Sequence, residues 1–182
     1  MKTLFIVLAM LAGSALAQDS GSAVSPSPCS GPDYQSFGFW IGTWDVTQNG
    51  VAAGRNRIQS IDNGCAMLEH WTSAAGTLTG HSLNFYDRTT DSWHQTWVDS
   101  TGSVLRLSGG LEANNAREDA PAIMSMVLRG KRKIAGGGMQ ENRISWTPNA
   151  DGTVRQHWVQ SDDGDTWTTV FDGLYQRRED AQ

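Results

Sequence analysis

The chain has 182 residues, with 14 Lys and Arg against 19 Asp and Glu, and a formal net charge of −5. That length suits one domain with a sizeable core. Its acidic balance, with basic residues clustered only at Arg129-Gly130-Lys131-Arg132-Lys133, argues against nucleic acid or an anionic membrane as partner.

Met1-Lys2 is a short basic start, Leu4 to Ala12 an apolar run, and Ala15-Leu16-Ala17 a small-residue cleavage site. This pattern predicts a signal peptide over residues 1–17 and export to the periplasm or beyond. The apolar run is shorter than a bilayer span. Gln18, not a cysteine, follows the cleavage site, so a product without a membrane anchor is expected. Residues 18–32 are rich in Ser, Gly, Ala and Pro and read as a flexible leader. The folded domain is expected over 33–178, with a tail at 179–182. Two cysteines, Cys29 and Cys65, predict one disulfide in an oxidising compartment. It would close a loop of about 36 residues and contribute roughly 4 kcal/mol in the chain-entropy account.

Pro32 to Phe37 reads as a short helical turn. The densest apolar stretch follows, Phe37-Gly38-Phe39-Trp40-Ile41-Gly42-Thr43-Trp44-Asp45-Val46. As a strand it would put Trp40, Gly42, Trp44 and Val46 on one face. Turn signals then recur: Asn49-Gly50, Asp62-Asn63-Gly64, Ala75-Gly76, Asp87 to Asp91, Ser100-Thr101-Gly102, Pro148 to Gly152 and Asp162-Asp163-Gly164. Between them lie short runs of period-two character, from Gly54–Ile61 to Trp167–Leu174. About ten strands and no sustained helical stripe predict an all-β fold, a single antiparallel up-and-down barrel. Glu112 to Ala120 and Arg129 to Gly138 break the rhythm and read as mobile loops. Ser161 to Trp167 resembles the Asp-box hairpin of sialidase-type propellers, one residue short, and is read as a turn.

A weak repeat carries the functional signal. Glu69-His70-Trp71, Gln95-Thr96-Trp97 and Gln156-His157-Trp158 each set a hydrogen-bonding side chain two residues before a tryptophan. Positions i and i+2 share a strand face. Turned inward, these residues and Asn84 would line a partly polar, aromatic cavity. An interior Glu69 must be paired, protonated or functional, with Arg143 and Arg155 as candidate partners. No metal-ligand or nucleophile motif appears among the four histidines and the carboxylates, so no cofactor or metal is expected.

Gly42-Thr43-Trp44 on a first strand resembles the Gly-x-Trp signature of lipocalins and the wider calycin group. That resemblance implies closure of one barrel end by Trp40 and Trp44, with Arg177 from the last strand over the tryptophan. The ordered set Phe39 to Val46, Asn84 to Asp87, Gln95 to Ser100, Ile144 to Pro148 and Phe171 to Tyr175 also resembles an uncharacterised exported bacterial family. Its domain is lipocalin-like or fatty-acid-binding-protein-like. The resemblance implies a fold and a pocket, and no activity.

The leading expectation is binding of a small, partly apolar molecule by Glu69, Trp71, Asn84, Gln95, Trp97, Gln156 and Trp158. The alternatives are an enzyme using Glu69 as general acid or base and a pocketless structural or interaction module with a solid Trp core.

Overall fold

The structure, a computed structural model, describes residues 28–114, 122–134 and 136–178. The expected signal peptide, most of the leader, the 179–182 tail and residues 115–120 of the expected Glu112–Ala120 loop lie outside the described residues, while Glu112 to Asn114 are strand and not loop. A helical turn, α1 (Pro32–Gln35), and a 3₁₀ turn (Gly38–Trp40) lead into ten strands. They are β1 (Gly42–Gln48), β2 (Val51–Ile61), β3 (Ala66–Ser73), β4 (Thr79–Asp87) and β5 (Ser92–Asp99), then β6 (Val104–Asn114), β7 (Ile123–Lys133), β8 (Met139–Pro148), β9 (Val154–Ser161) and β10 (Thr168–Arg177). Each pairs antiparallel with its sequence neighbour, and β1 pairs with β10, so the sheet closes into an up-and-down barrel.

Local chemistry sets the turns. Asn49 and Gly50 both have positive φ (52° and 76°) and join Gln48 to its partner Val51 in two residues, as a twist-matched hairpin requires. The Asp162-Asp163-Gly164 turn is held by Asp163 Oδ1, which accepts from the Asp165 and Thr166 amides, and by Ser161 Oγ, which accepts from the Gly164 amide. Cys29 and Cys65 form the disulfide. It ties the segment before α1 to the start of β3.

Three further readings of the sequence need correction. The first strand begins at Gly42, because Phe37 and Trp40 lie three residues apart, the 3₁₀ period. There their rings stack at 5.0 Å, and both are fully buried. Arg129 to Lys133 is strand, not loop. Its residues continue the period-two alternation, and their outward charges pair across to the neighbouring strands, Arg129 to Glu112 and Lys131 to Glu141. Trp167 precedes β10 and lies on the outside under Arg143, whose Cζ is 4.8 Å from its ring centre.

The N-terminal segment plugs one end of the barrel. Phe37 packs against Trp40, Trp93 and Trp146, with centroids 5.0–5.5 Å apart. Trp93 Nε1 donates to Asp33 O and Ser36 Oγ, which anchors α1 across that end. Trp44 Nε1 donates to Trp40 O at 2.9 Å. Arg177, the register partner of Trp44, places Cζ 4.5 Å from its ring centre. A Cβ on Gly42 would come within 2.5 Å of Arg177 Nη1, and Gly42 has φ +150°. Glycine therefore leaves the room that this cation–π contact needs.

Candidate functional site

Ten strands enclose more space than the eight that side chains fill. In this barrel the surplus lies at the end opposite the plug, where β3–β4, β5–β6, β7–β8 and β9–β10 turn. A cavity of about 240 Å³ opens there. Trp71, Trp97, Trp158 and Phe171 stand around it, with Leu78, Leu105, Ile144 and Val170 between them.

Interior glycines hold the aromatic rings against the wall. A Cβ on Gly54 would meet Trp71 Cη2 at 2.7 Å, one on Gly80 would meet Trp97 Cζ2 at 2.2 Å, and one on Gly173 would meet Phe171 Cε1 at 2.4 Å. Each ring therefore lies over a strand position that has no side chain. Rings pressed to the wall leave the lumen open, whereas rings projecting inward would fill it.

Below the aromatic layer runs a polar belt. From one side, Gln95 Nε2 donates to Asn84 Oδ1 (2.8 Å), Asn84 Nδ2 to Ser82 Oγ (2.8 Å), and Ser82 Oγ to Glu69 Oε2 (2.5 Å). From the other, Asn56 Nδ2 donates to Glu69 Oε1 (2.7 Å) and to the Tyr175 hydroxyl (3.3 Å), and that hydroxyl donates to Gln156 Oε1. Both arms end on Glu69, which is 5% exposed and lines the cavity. Burial pushes the Glu69 carboxyl above the usual carboxylate range, although the hydrogen bonds from Ser82 and Asn56 pull the other way. Burial, and then the nearby Glu69 charge, push the Tyr175 phenol upward too. Among the described residues no donor reaches Asn56 Oδ1 or Gln95 Oε1.

The mouth carries two charges. The Arg132 fork donates to Gln140 Oε1 through Nε and Nη2, and Nη1 donates to Ser103 Oγ. Asp99 accepts from Trp97 Nε1, from the Thr101 amide and hydroxyl, and from the Ser103 amide. Burial raises its pKa, but these hydrogen bonds together outweigh burial and lower it.

Six of the seven predicted ligand-binding residues line this cavity: Glu69, Trp71, Gln95, Trp97, Gln156 and Trp158. Asn84 does not. It is fully buried beneath Gln95 and Ser82 and acts as their support. Neither arginine suggested for Glu69 is near it, because both stand on the outward parity of their strands. Arg155 pairs with Asp172 on the outside, and Arg143 stacks on Trp167. His157 is also outward and accompanies Arg143 and Arg129 at an outer groove of about 190 Å³. Burial, followed by the nearby Arg155 charge, lowers the His157 pKa.

Arg132, Asp99, Tyr175 and Asn56 were missed. Strand parity would have found them: Asn56 lies two residues from Gly54 and Ile58, and Tyr175 lies four from Phe171. Arg132 was hidden inside a basic run that looked like a turn.

No helix among the described residues is long and apolar enough to cross a membrane. No protein-family profile matches the chain, and no curated protein matches it. The closed ten-strand antiparallel barrel is consistent with a calycin-like architecture.

Proposed function

We propose that this protein is an exported binding protein that takes one small, partly apolar molecule into the open end of its barrel. The supporting observation is the meeting of the three Trp residues with Glu69, Gln95 and Gln156 around one cavity. Tryptophan offers a large apolar contact surface, and a few fixed polar groups beneath it orient the guest. A cavity of about 240 Å³ is small beside the usual range of roughly 300–1,000 Å³, so the guest is compact. The disulfide suits an oxidising compartment. The apolar run and cleavage site at residues 1–17 support export. Membership of the lipocalin-like exported family rests on the motifs from Phe39 to Tyr175.

Native mass spectrometry of protein purified undenatured from its source cells tests this. A small-molecule adduct lost on mild activation is expected. A bare polypeptide mass, together with tryptophan fluorescence that no small apolar compound perturbs, would contradict it.

A further inference from the structure

Glu69 is a buried carboxylate whose hydrogen-bond partners are all neutral: Asn56 and Ser82. Among the described residues no Lys, Arg or His lies within ion-pair distance of it, since the ion pairs present lie elsewhere, between Arg55 and Asp45, Arg129 and Glu112, Lys131 and Glu141, and Arg155 and Asp172. A buried charge without a countercharge is costly. The floor around it also holds free acceptors. Among the described residues Asn56 Oδ1 and Gln95 Oε1 receive no donor, and the lining donors without an acceptor are Gln156 Nε2 and the indole N–H groups of Trp71 and Trp146. Immediately above stand Trp71, Trp97, Trp158 and Phe171, whose faces attract a cation.

Resting on the binding function proposed above, we propose that the cavity takes a small molecule bearing a protonated nitrogen, set against the Glu69 carboxylate, on an aromatic or apolar body held by these rings. The guest supplies the missing countercharge and a hydrogen bond to the unspent acceptors. A carboxylate guest would bring a second negative charge to Glu69. An uncharged guest would leave Glu69 to be neutralised by protonation, as its raised pKa favours. Arg132 at the mouth is held by Gln140 and Ser103, and Asp99 lines the same rim, so the entrance carries both signs.

Three probes share one body and differ in charge: 2-phenylethylamine, 2-phenylethanol and 3-phenylpropanoate. Isothermal titration near neutral pH should show the amine binding at least about tenfold tighter than the alcohol, with the carboxylate weakest. Glu69→Gln should abolish the amine's advantage, so that amine and alcohol bind with the same affinity. Should the variant fail to fold, the ranking of the three probes on the native chain decides the matter. An alcohol or carboxylate that binds as tightly as the amine overturns the amine inference and leaves the cavity as a binding site. If none of the three binds, both readings fall.

Discussion

At one end of the barrel Phe37, Trp40, Trp93 and Trp146 pack into each other. At the other, Trp71, Trp97 and Phe171 lie over glycines, Trp71 meets Phe171 edge to face at 6.0 Å, and a cavity remains open beside them. The residue types are nearly the same, and the difference is in what faces each ring. Across the plugged end each ring meets another ring, so the aromatics become core. At the open end Trp71, Trp97 and Phe171 each also meet a strand position with no Cβ, which lets the ring sit against the wall. The polar residues divide the same way. Among the described residues, the plug leaves the buried indole N–H groups of Trp40 and Trp146 without partners. The open end is floored by a continuous belt of amides, hydroxyls and one carboxylate. One end carries packed core and the other keeps a cavity.

Substitutions at the two ends should therefore separate stability from binding. Trp44→Ala should have the largest effect. It empties a fully buried site and strands Arg177, costing about 3–5 kcal/mol in urea unfolding. A loss well under 1 kcal/mol would mean that Trp44 is not part of a packed closure. Reducing the Cys29–Cys65 bond, or replacing both with Ser, should cost about 2–4 kcal/mol while guest affinity barely changes, because neither residue lines the cavity. A large fall in affinity would tie the plug to the site. Gly80→Ala should cost roughly 1–3 kcal/mol, since its Cβ would come within 2.2 Å of Trp97. The displaced ring should also weaken binding in a fluorescence titration. Unchanged affinity would show that the recessed ring does not shape the site.

The smallest effect is on the pH dependence of stability. The Glu69 pKa is raised in the folded chain, so the folded state holds this proton more tightly than the unfolded state. The stability this provides is full below the ordinary carboxylate range and is lost as pH rises through the raised value. Glu69→Gln should remove that loss, so the variant should gain on the native protein as pH climbs from about 4 to 8. Denaturant midpoints of both proteins across that range check it. A difference that is flat with pH would show that Glu69 is not buried as described.

The fold was largely legible in the sequence because the strands are short and their turns are explicit. Asn49-Gly50 and Asp162-Asp163-Gly164 mark hairpins by backbone chemistry that acts within a few residues. The inward tryptophans were legible too, since Glu69 with Trp71 and Gln95 with Trp97 obey a period of two. The recesses were not. That Gly80 faces Trp97 depends on the register between β4 and β5, and no local pattern encodes it. Arg132 was hidden for a related reason. Its run alternates outward charges with an inward one, and the composition of that run suggests a solvated turn until the strand is seen to continue through it. The closure of the first segment was seen, but its geometry was not. Phe37 and Trp40 can mark a strand or a 3₁₀ turn, and packing against Trp93 and Trp146 selects the turn.

The indole N–H resonances test the division between the two ends most directly. The chain has eight tryptophans, and each gives its own signal in a ¹H–¹⁵N spectrum. On titration with 2-phenylethylamine, the signals of Trp71, Trp97 and Trp158 should move together with one dissociation constant, while those of Trp40, Trp44 and Trp93 stay in place. Shifts centred on the plug or on the outward Trp167, with the cavity signals still, would contradict the account.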